Sequence, residues 1–348
     1  MTDSDTKASV LLYQGAVTAS ACWLAAILAF AAHLQNPWWA AISAWVVASP
    51  VRQALLTKAA DRIVGTILGC STGYWLTLWG EGRPALQTAI LFMVAAVGTY
   101  ARFRSKHSYA WIIGAASAMM ILSTGLEAPG QTYYLALSRA TEIICGVLAA
   151  TFMGLVVDLK RRIAGMPSAP TEPTPKARTA TMDRADAIRL AMMGGVTIIL
   201  VPILWSWWHL PSLTQTIVSS FVVLDRDVLS TRFRGVQRIL GCLAGGAFGL
   251  LTIWLGIDSF FMWSIMLLAG VFLFSRSHHS DSRWSYVGTQ GGVAFLLAVI
   301  TGNGPPDSIM PAINRIAGML SGVAILLGVS LVFGRTFEYE RTAKTERG

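Results

Sequence analysis

Apolar residues along this 348-residue chain gather into twelve runs separated by short polar breaks, at about 9–33, 37–50, 53–79, 84–101, 108–125, 131–157, 187–208, 211–224, 229–255, 257–275, 284–301 and 308–334. Most of them reach or approach the ~20 residues that carry a helix across a hydrocarbon core of ~30 Å. The pattern predicts an all-α membrane protein with about twelve transmembrane helices. One break differs from the others: KRRIAGMPSAPTEPTPKARTATMDRAD, rich in Pro, Thr and charge, reads as a flexible linker. The expected organisation is a six-span half at 1–157, a cytoplasmic linker at 158–186, a second six-span half at 187–334 and a cytoplasmic tail at 335–348.

The halves repeat each other. RIVGTILGC at 62–70 aligns with RILGCLAGG at 238–246, and the same offset pairs Arg139 and Gly146 with Arg315 and Gly322. Within each half the pattern occurs twice. Arg62 precedes Gly65 and Gly69, Arg238 precedes Gly241 and Gly245, and Arg315 precedes Gly318 and Gly322, whereas Arg139 precedes Glu142 and Gly146. If each copy opens the third helix of a three-span unit, successive units enter the membrane from opposite sides. Two six-span halves, each made of two inverted three-helix repeats, is a scheme typical of secondary transporters.

Composition sharpens the membrane assignment: 54% of residues are hydrophobic and 13% charged, too apolar for an ordinary soluble domain. The net charge of +9 falls in short segments between apolar runs, as in loops facing anionic lipid, and does not point to nucleic acid. A cytoplasmic amino terminus places nearly all Lys and Arg residues in or beside cytoplasmic segments, leaving Arg83 in an outer loop and Arg139 and Arg315 inside spans. The first run is longer than a signal-peptide core and reads as an uncleaved span. Trp38, Trp39, Trp79, Trp207, Trp208 and Trp254 then lie near the outer interface and read as anchors there. Cys22, Cys70, Cys145 and Cys242 sit in apolar runs with no metal-ligand spacing, so neither disulfide, metal nor cofactor is implied. GCSTG at 69–73 lies mid-span with no histidine base, and no phosphate-binding GxxxxGK[ST] loop is present, so neither an enzyme nor an ATP-driven pump is expected. The five histidines fall at span ends or in loops and read as interfacial polar groups.

The candidate chemistry lies in the repeat. Glycines four apart let helices approach closely, while an arginine near the bilayer centre is costly unless it snorkels, pairs or meets water or an anion. Arg62, Arg139, Arg238 and Arg315 are therefore candidate ligands for an organic carboxylate, whose geometry a guanidinium fork matches, or else helix staples. Lys58 and Arg234, one turn earlier, could draw anions to the cytoplasmic mouth or serve as ordinary loop cations. Glu142 shares a face with Arg139, either neutralising it or carrying a proton in exchange for substrate. The second span of each half, PWWAAISAWVVASP and PSLTQTIVSSFVVL, is too short to cross, and short segments at matching positions point to a transport site. Ser43, Thr216, Ser219 and Ser220 supply hydroxyls there, for substrate or for packing.

NPWWAAISAWVVASP followed by RIVGTILG and SRATEIICG resembles the fusaric-acid-resistance-like family of bacterial inner-membrane proteins, which includes aromatic carboxylic acid exporters. More remotely it is similar to the plant aluminium-activated malate transporters. The resemblance implies a multi-pass inner-membrane transporter with both termini cytoplasmic, exporting organic anions, with the four arginines at positions of basic pore or site residues. For Gram-negative members it implies a periplasmic adaptor protein as partner, beside membrane lipid. The expected function is proton-coupled export of aromatic carboxylates; a passive organic-anion channel and a non-transporting scaffold are the alternatives.

Overall fold

The computed structural model describes residues 3–49, 51–163, 182–255, 259–301 and 309–345. Twelve α-helices and no β-strand are found among them: α1 Asp3–Ala31, α2 Trp38–Val47, α3 Arg52–Gly80, α4 Pro84–Arg104, α5 Ser108–Glu127, α6 Thr132–Ile163, α7 Arg184–Trp208, α8 Leu213–Val223, α9 Val228–Trp254, α10 Phe260–His278, α11 Ser285–Val299 and α12 Met310–Thr345. Most of the expected linker, 164–181, lies outside the described residues, as does Pro50.

This is an all-α membrane protein, with one correction to the count of full spans. Eight helices, α1, α4, α5, α6, α7, α9, α10 and α12, are long and apolar enough to cross a bilayer. α3 has the length, with 29 residues, but opens on RQALLTKAADR, which dilutes its hydropathy. The second helices α2 and α8 are short as expected, with 10 and 11 residues, and α11 joins them with 15. At ~1.5 Å per residue these rise about 15–23 Å, less than the hydrocarbon core.

The offset seen in the sequence pairs α1–α6 with α7–α12 element by element, and even the turn after the first helix repeats: His33 and His209 both adopt left-handed backbone, with φ 52° and 49°. The halves interlock reciprocally. α1 packs on α10 while α7 packs on α4, and α2 meets α11 while α8 meets α5. Apolar burial follows the same exchange, because one core joins α1 and α2 to α10 and α11 and another joins α4 and α5 to α7 and α8. Inside each half the neighbours obey inversion. In the first, α1–α2 is matched by α4–α5, α1–α6 by α4–α3, and α2–α6 by α5–α3.

The glycines make those contacts possible. A methyl added at Gly65 would sit 2.5 Å from the carbonyl oxygen of Ala110, and one at Gly241 2.5 Å from that of Val287. Gly69 lies as tightly against Gly114, Gly245 against Gly291, Gly146 against Ala40 and Gly322 against Thr216. The last glycine of every repeat copy is thus a point of backbone-to-backbone approach, which a side chain would wedge apart.

Candidate functional site

Three of the four repeat arginines are almost fully buried, Arg62 being 3% exposed and Arg139 and Arg238 5% each, while Arg315 is half-buried. Burial of this kind leaves no room for snorkelling to the headgroups, so each guanidinium needs partners in the protein or from a ligand. Arg238 is fully engaged on two sides: Nε donates to Ser219 Oγ at 2.8 Å and Nη1 to Gln290 Oε1 at 2.6 Å. Arg62 donates from Nη1 to the Tyr109 hydroxyl at 2.8 Å. Arg315 donates from Nη1 to the Leu297 carbonyl at 2.7 Å.

Arg139 is the exception. Its Nε and Nη1 are buried with no acceptor among the described residues, and its guanidinium carbon lies 3.4 Å from the centroid of the Trp39 ring. Arg315, arriving from the other half, lies 3.8 Å from the ring centroid of the adjacent Trp38. Two arginines at equivalent positions of the two halves therefore converge on neighbouring indoles at the start of the broken span α2. A stacked guanidinium is held by the ring face and presents its N–H edge outward, the geometry in which it can fork onto a carboxylate. The Trp38 indole N–H is also buried without an acceptor.

This corrects the expectation that Trp38 and Trp39 are interfacial anchors, since they are 9% and 8% exposed. Trp79, Trp207, Trp208 and Trp254 are all largely exposed, as anchors must be. Nothing in the sequence separates the two kinds of tryptophan except that Trp38 and Trp39 open a helix too short to span. The four arginines are not equally placed about one point either. Arg139 lies within electrostatic range of Arg62 and shares the indole pair with Arg315, whereas Arg238 is tied to α8 and α11.

Glu142 does not form the expected ion pair with Arg139. Its fully buried Oε1 accepts a hydrogen bond from the Asn36 amide at 2.7 Å, and Oε2 has no partner. Asn36 lies two residues before α2, so the carboxylate holds the turn that leads into that helix. In the other half Gly318 replaces Glu142, and Ser212 caps α8 from its own side chain by accepting from the Gln215 amide. The unlike residue of the fourth repeat copy thus ties down the turn before α2, where the other half uses a serine cap on α8.

Among the hydroxyl candidates only Ser219 meets an arginine, and it also donates to the Met319 carbonyl at 2.8 Å. Ser43, Thr216 and Ser220 donate to carbonyls of their own chain segments, Trp39, Ser212 and Ile217. Ser43 lies beneath Gly146, and Thr216 and Ser220 lie beneath Gly322.

Two comparisons now bear on what such a site belongs to. The model of the fusaric acid resistance protein family matches residues 12–171, and that of the fusaric acid resistance protein-like family matches 197–329, so both halves are recognised separately. The chain belongs to the fusaric acid resistance protein family. Its curated relatives in that family include the p-hydroxybenzoic acid efflux pump subunit AaeB of Escherichia fergusonii, 29% identical over 149 residues, which is 40% of this chain and 23% of the relative. The proteins of the same name from Escherichia coli O1:K1 and Shigella boydii serotype 18 are 28% identical over the same length. The matched region thus spans about a quarter of those relatives. No solved structure matches the chain.

The two seams between halves differ in chemistry. At one, Arg102 of α4 donates across to the Leu224 carbonyl at 2.8 Å, and beside it, within the second half, Arg234 Nε meets Asp225 Oδ2 at 2.9 Å. Arg234 is therefore engaged in structure, while Lys58, its counterpart, is exposed. The other seam carries histidines turned inward, not interfacial ones. His278 stacks on Trp45 with centroids 4.9 Å apart, and His279 Nε2 lies 3.0 Å from Thr18 Oγ1. Burial, and behind it the charge of Lys58, pushes the His279 imidazole down to about 4. A histidine with a depressed folded-state pKa is neutral in the fold while the unfolded chain takes up a proton, so its stabilisation is present above about 6.5 and lost as pH falls toward 4. The melting temperature of the detergent-solubilised protein should drop across that window, by on the order of 2 kcal/mol of stability, and a His279→Gln variant should flatten the drop. An equally steep profile in the variant would remove His279 as its source.

Proposed function

We propose that the chain is a multi-pass inner-membrane secondary transporter, not an enzyme, that exports organic and chiefly aromatic carboxylate anions. The observation that carries this reading is the convergence of Arg139 and Arg315 on Trp38 and Trp39, with the Arg139 fork lacking an acceptor. Indoles beside guanidiniums complement a ring bearing a carboxylate, because one supplies an apolar face and the other paired charge-assisted donors. The efflux pump subunits matched in part by this chain agree with that chemistry. In this reading the two six-span halves form the transport body, residues 158–186 link them on the cytoplasmic side, and both termini are cytoplasmic. A periplasmic adaptor protein would receive the exported anion, in keeping with the word subunit in the relatives' names.

Glu142 offers the means of proton coupling. As a carboxylate it holds the Asn36 amide and with it the start of α2, where the two indoles carry the arginines. A proton on Glu142 weakens that charge-assisted hydrogen bond and frees α2 to shift, so protonation and anion release act on one element. Purified protein in liposomes loaded with radiolabelled p-hydroxybenzoate tests the reading. Efflux driven by an inward proton gradient is expected, and Glu142→Gln should retain flux but lose its pH dependence. Current that follows voltage alone would favour a passive channel, and the absence of flux would leave a scaffold.

A further inference from the structure

The two halves share a fold but not a buried polar content. On α3, Arg62, Thr66 and Cys70 lie one turn apart along one face, and α5 faces them with Ser117. Arg62 Nε, Thr66 Oγ1 and Ser117 Oγ are all buried without a hydrogen-bond partner among the described residues. Ser117 faces the Cys70 thiol, and Arg139 lies within electrostatic range of both Cys70 and Arg62. The Nε and Nη1 of Arg139 add two more unpartnered donors. Across the repeat the corresponding positions are Cys242, Gly246 and Val293, and Arg238 there has protein acceptors on both Nε and Nη1. In the second half protein groups accept from both arginine nitrogens, whereas in the first Arg62 Nε and the Nε and Nη1 of Arg139 keep no protein acceptor among the described residues.

Charge points the same way. Arg62 and Arg139 form no salt bridge among the described residues, and Glu142 is the carboxylate within electrostatic range of Arg139. With Glu142 ionised the cluster keeps one uncompensated positive charge, and with Glu142 protonated it keeps two. Buried charge persists only with a counter-charge, and buried donors persist only with acceptors. One ligand supplies both: a carboxylate, with two oxygens able to accept several donors.

We propose that the core of the first half, between α3, α5 and α6, is a carboxylate-binding site formed by Arg62 Nε, Thr66, Ser117 and Arg139, and that the second half has no equivalent. The site deepens the transport reading above and rests on it for the choice of an aromatic acid as ligand. Thr66 and Ser117 bind the anion through their hydroxyls, and Tyr109 holds Arg62 in place from the other end of its fork.

Calorimetric titration of the purified protein with benzoate, acetate and benzamide tests this. Benzoate and acetate should bind, separating recognition of the ring from recognition of the carboxylate alone, and uncharged benzamide should not. Thr66→Val and Ser117→Val should each weaken benzoate about tenfold, the usual worth of a hydrogen bond to a charged group. Thr66→Ser and Ser117→Thr should restore binding, and Cys242→Ala in the second half should leave it unchanged. Benzamide binding as tightly as benzoate in the wild-type protein overturns the site, as does no binding of any probe, and neither result depends on a variant folding. Unchanged affinity in folded valine variants, or equal weakening by Cys242→Ala, overturns it too. Anion flux with unaltered binding in the valine variants would end this proposal and leave export standing. Benzoate binding with the expected variant pattern in a protein that moves no anion would uphold the site and end the export reading.

Discussion

A Gly146→Val substitution is expected to abolish recovery of folded protein, with destabilisation of at least ~4 kcal/mol. The added Cβ would lie 2.7 Å from the Ala40 carbonyl carbon and 2.8 Å from Ser43 Cβ, with the Ala40 oxygen nearer still. Two of these atoms belong to a helix backbone and the third is bonded directly to it, so none can rotate aside as a side-chain tip can. α6 would have to leave α2, and α2 is the helix that carries Trp38 and Trp39 and contributes Trp45 to the core shared with α11. Gly322→Val should act alike, because Thr216 and Ser219 of α8 stand in the same relation to α12. Gly130→Ala provides the contrast, since nothing lies within 4 Å of a methyl there, and should change stability by less than ~0.5 kcal/mol. Size-exclusion profiles of detergent extracts read the difference. A monodisperse Gly146→Val peak with wild-type melting temperature would show that the α2–α6 contact can relax.

Those glycines were legible in the sequence because backbone approach admits only one residue type, so the constraint leaves a periodic mark. The same holds for the repeat offset, for the short second helix of each half, and for the arginines, which stand out against apolar runs. What the repeat could not convey is where each side chain ends. Trp38 and Trp39 have the residue type and position of interfacial anchors, and only the packing of α2 inside the bundle turns them into supports for Arg139 and Arg315. Ser43, Thr216 and Ser220 look like ligands in a line of text, yet a hydroxyl in a helix can return its proton to a carbonyl one turn back, and theirs do. Glu142 stands three residues from Arg139, but its acceptor site is occupied by Asn36, 106 positions away in the chain. Spacing shows which groups share a helix face, whereas the partner from another helix decides the bond.

That distinction separates the arginines into two kinds with opposite expected behaviour. Arg139→Ala should lower aromatic carboxylate flux by about a hundredfold or more, because a buried charge-assisted fork contributes several hydrogen bonds to its ligand, each about tenfold or better. Its cost to the fold should be small. Nε and Nη1 have no protein acceptor to abandon, and the lost stacking on Trp39, of order 1–2 kcal/mol, is offset by removal of a buried charge that no salt bridge holds among the described residues. Arg139→Lys should rescue little, since an ammonium neither stacks as a plane nor forks. Arg238→Ala should do the reverse: it deletes the donors to Ser219 and Gln290, strands a buried Gln290 oxygen, and should lower stability by about 2–4 kcal/mol before any effect on substrate is read. Melting temperature and flux measured on the same two preparations settle the assignment. If Arg139→Ala melts far below wild type while Arg238→Ala melts normally and loses transport, the roles are exchanged, and the anion is held by the half whose arginine already has protein partners.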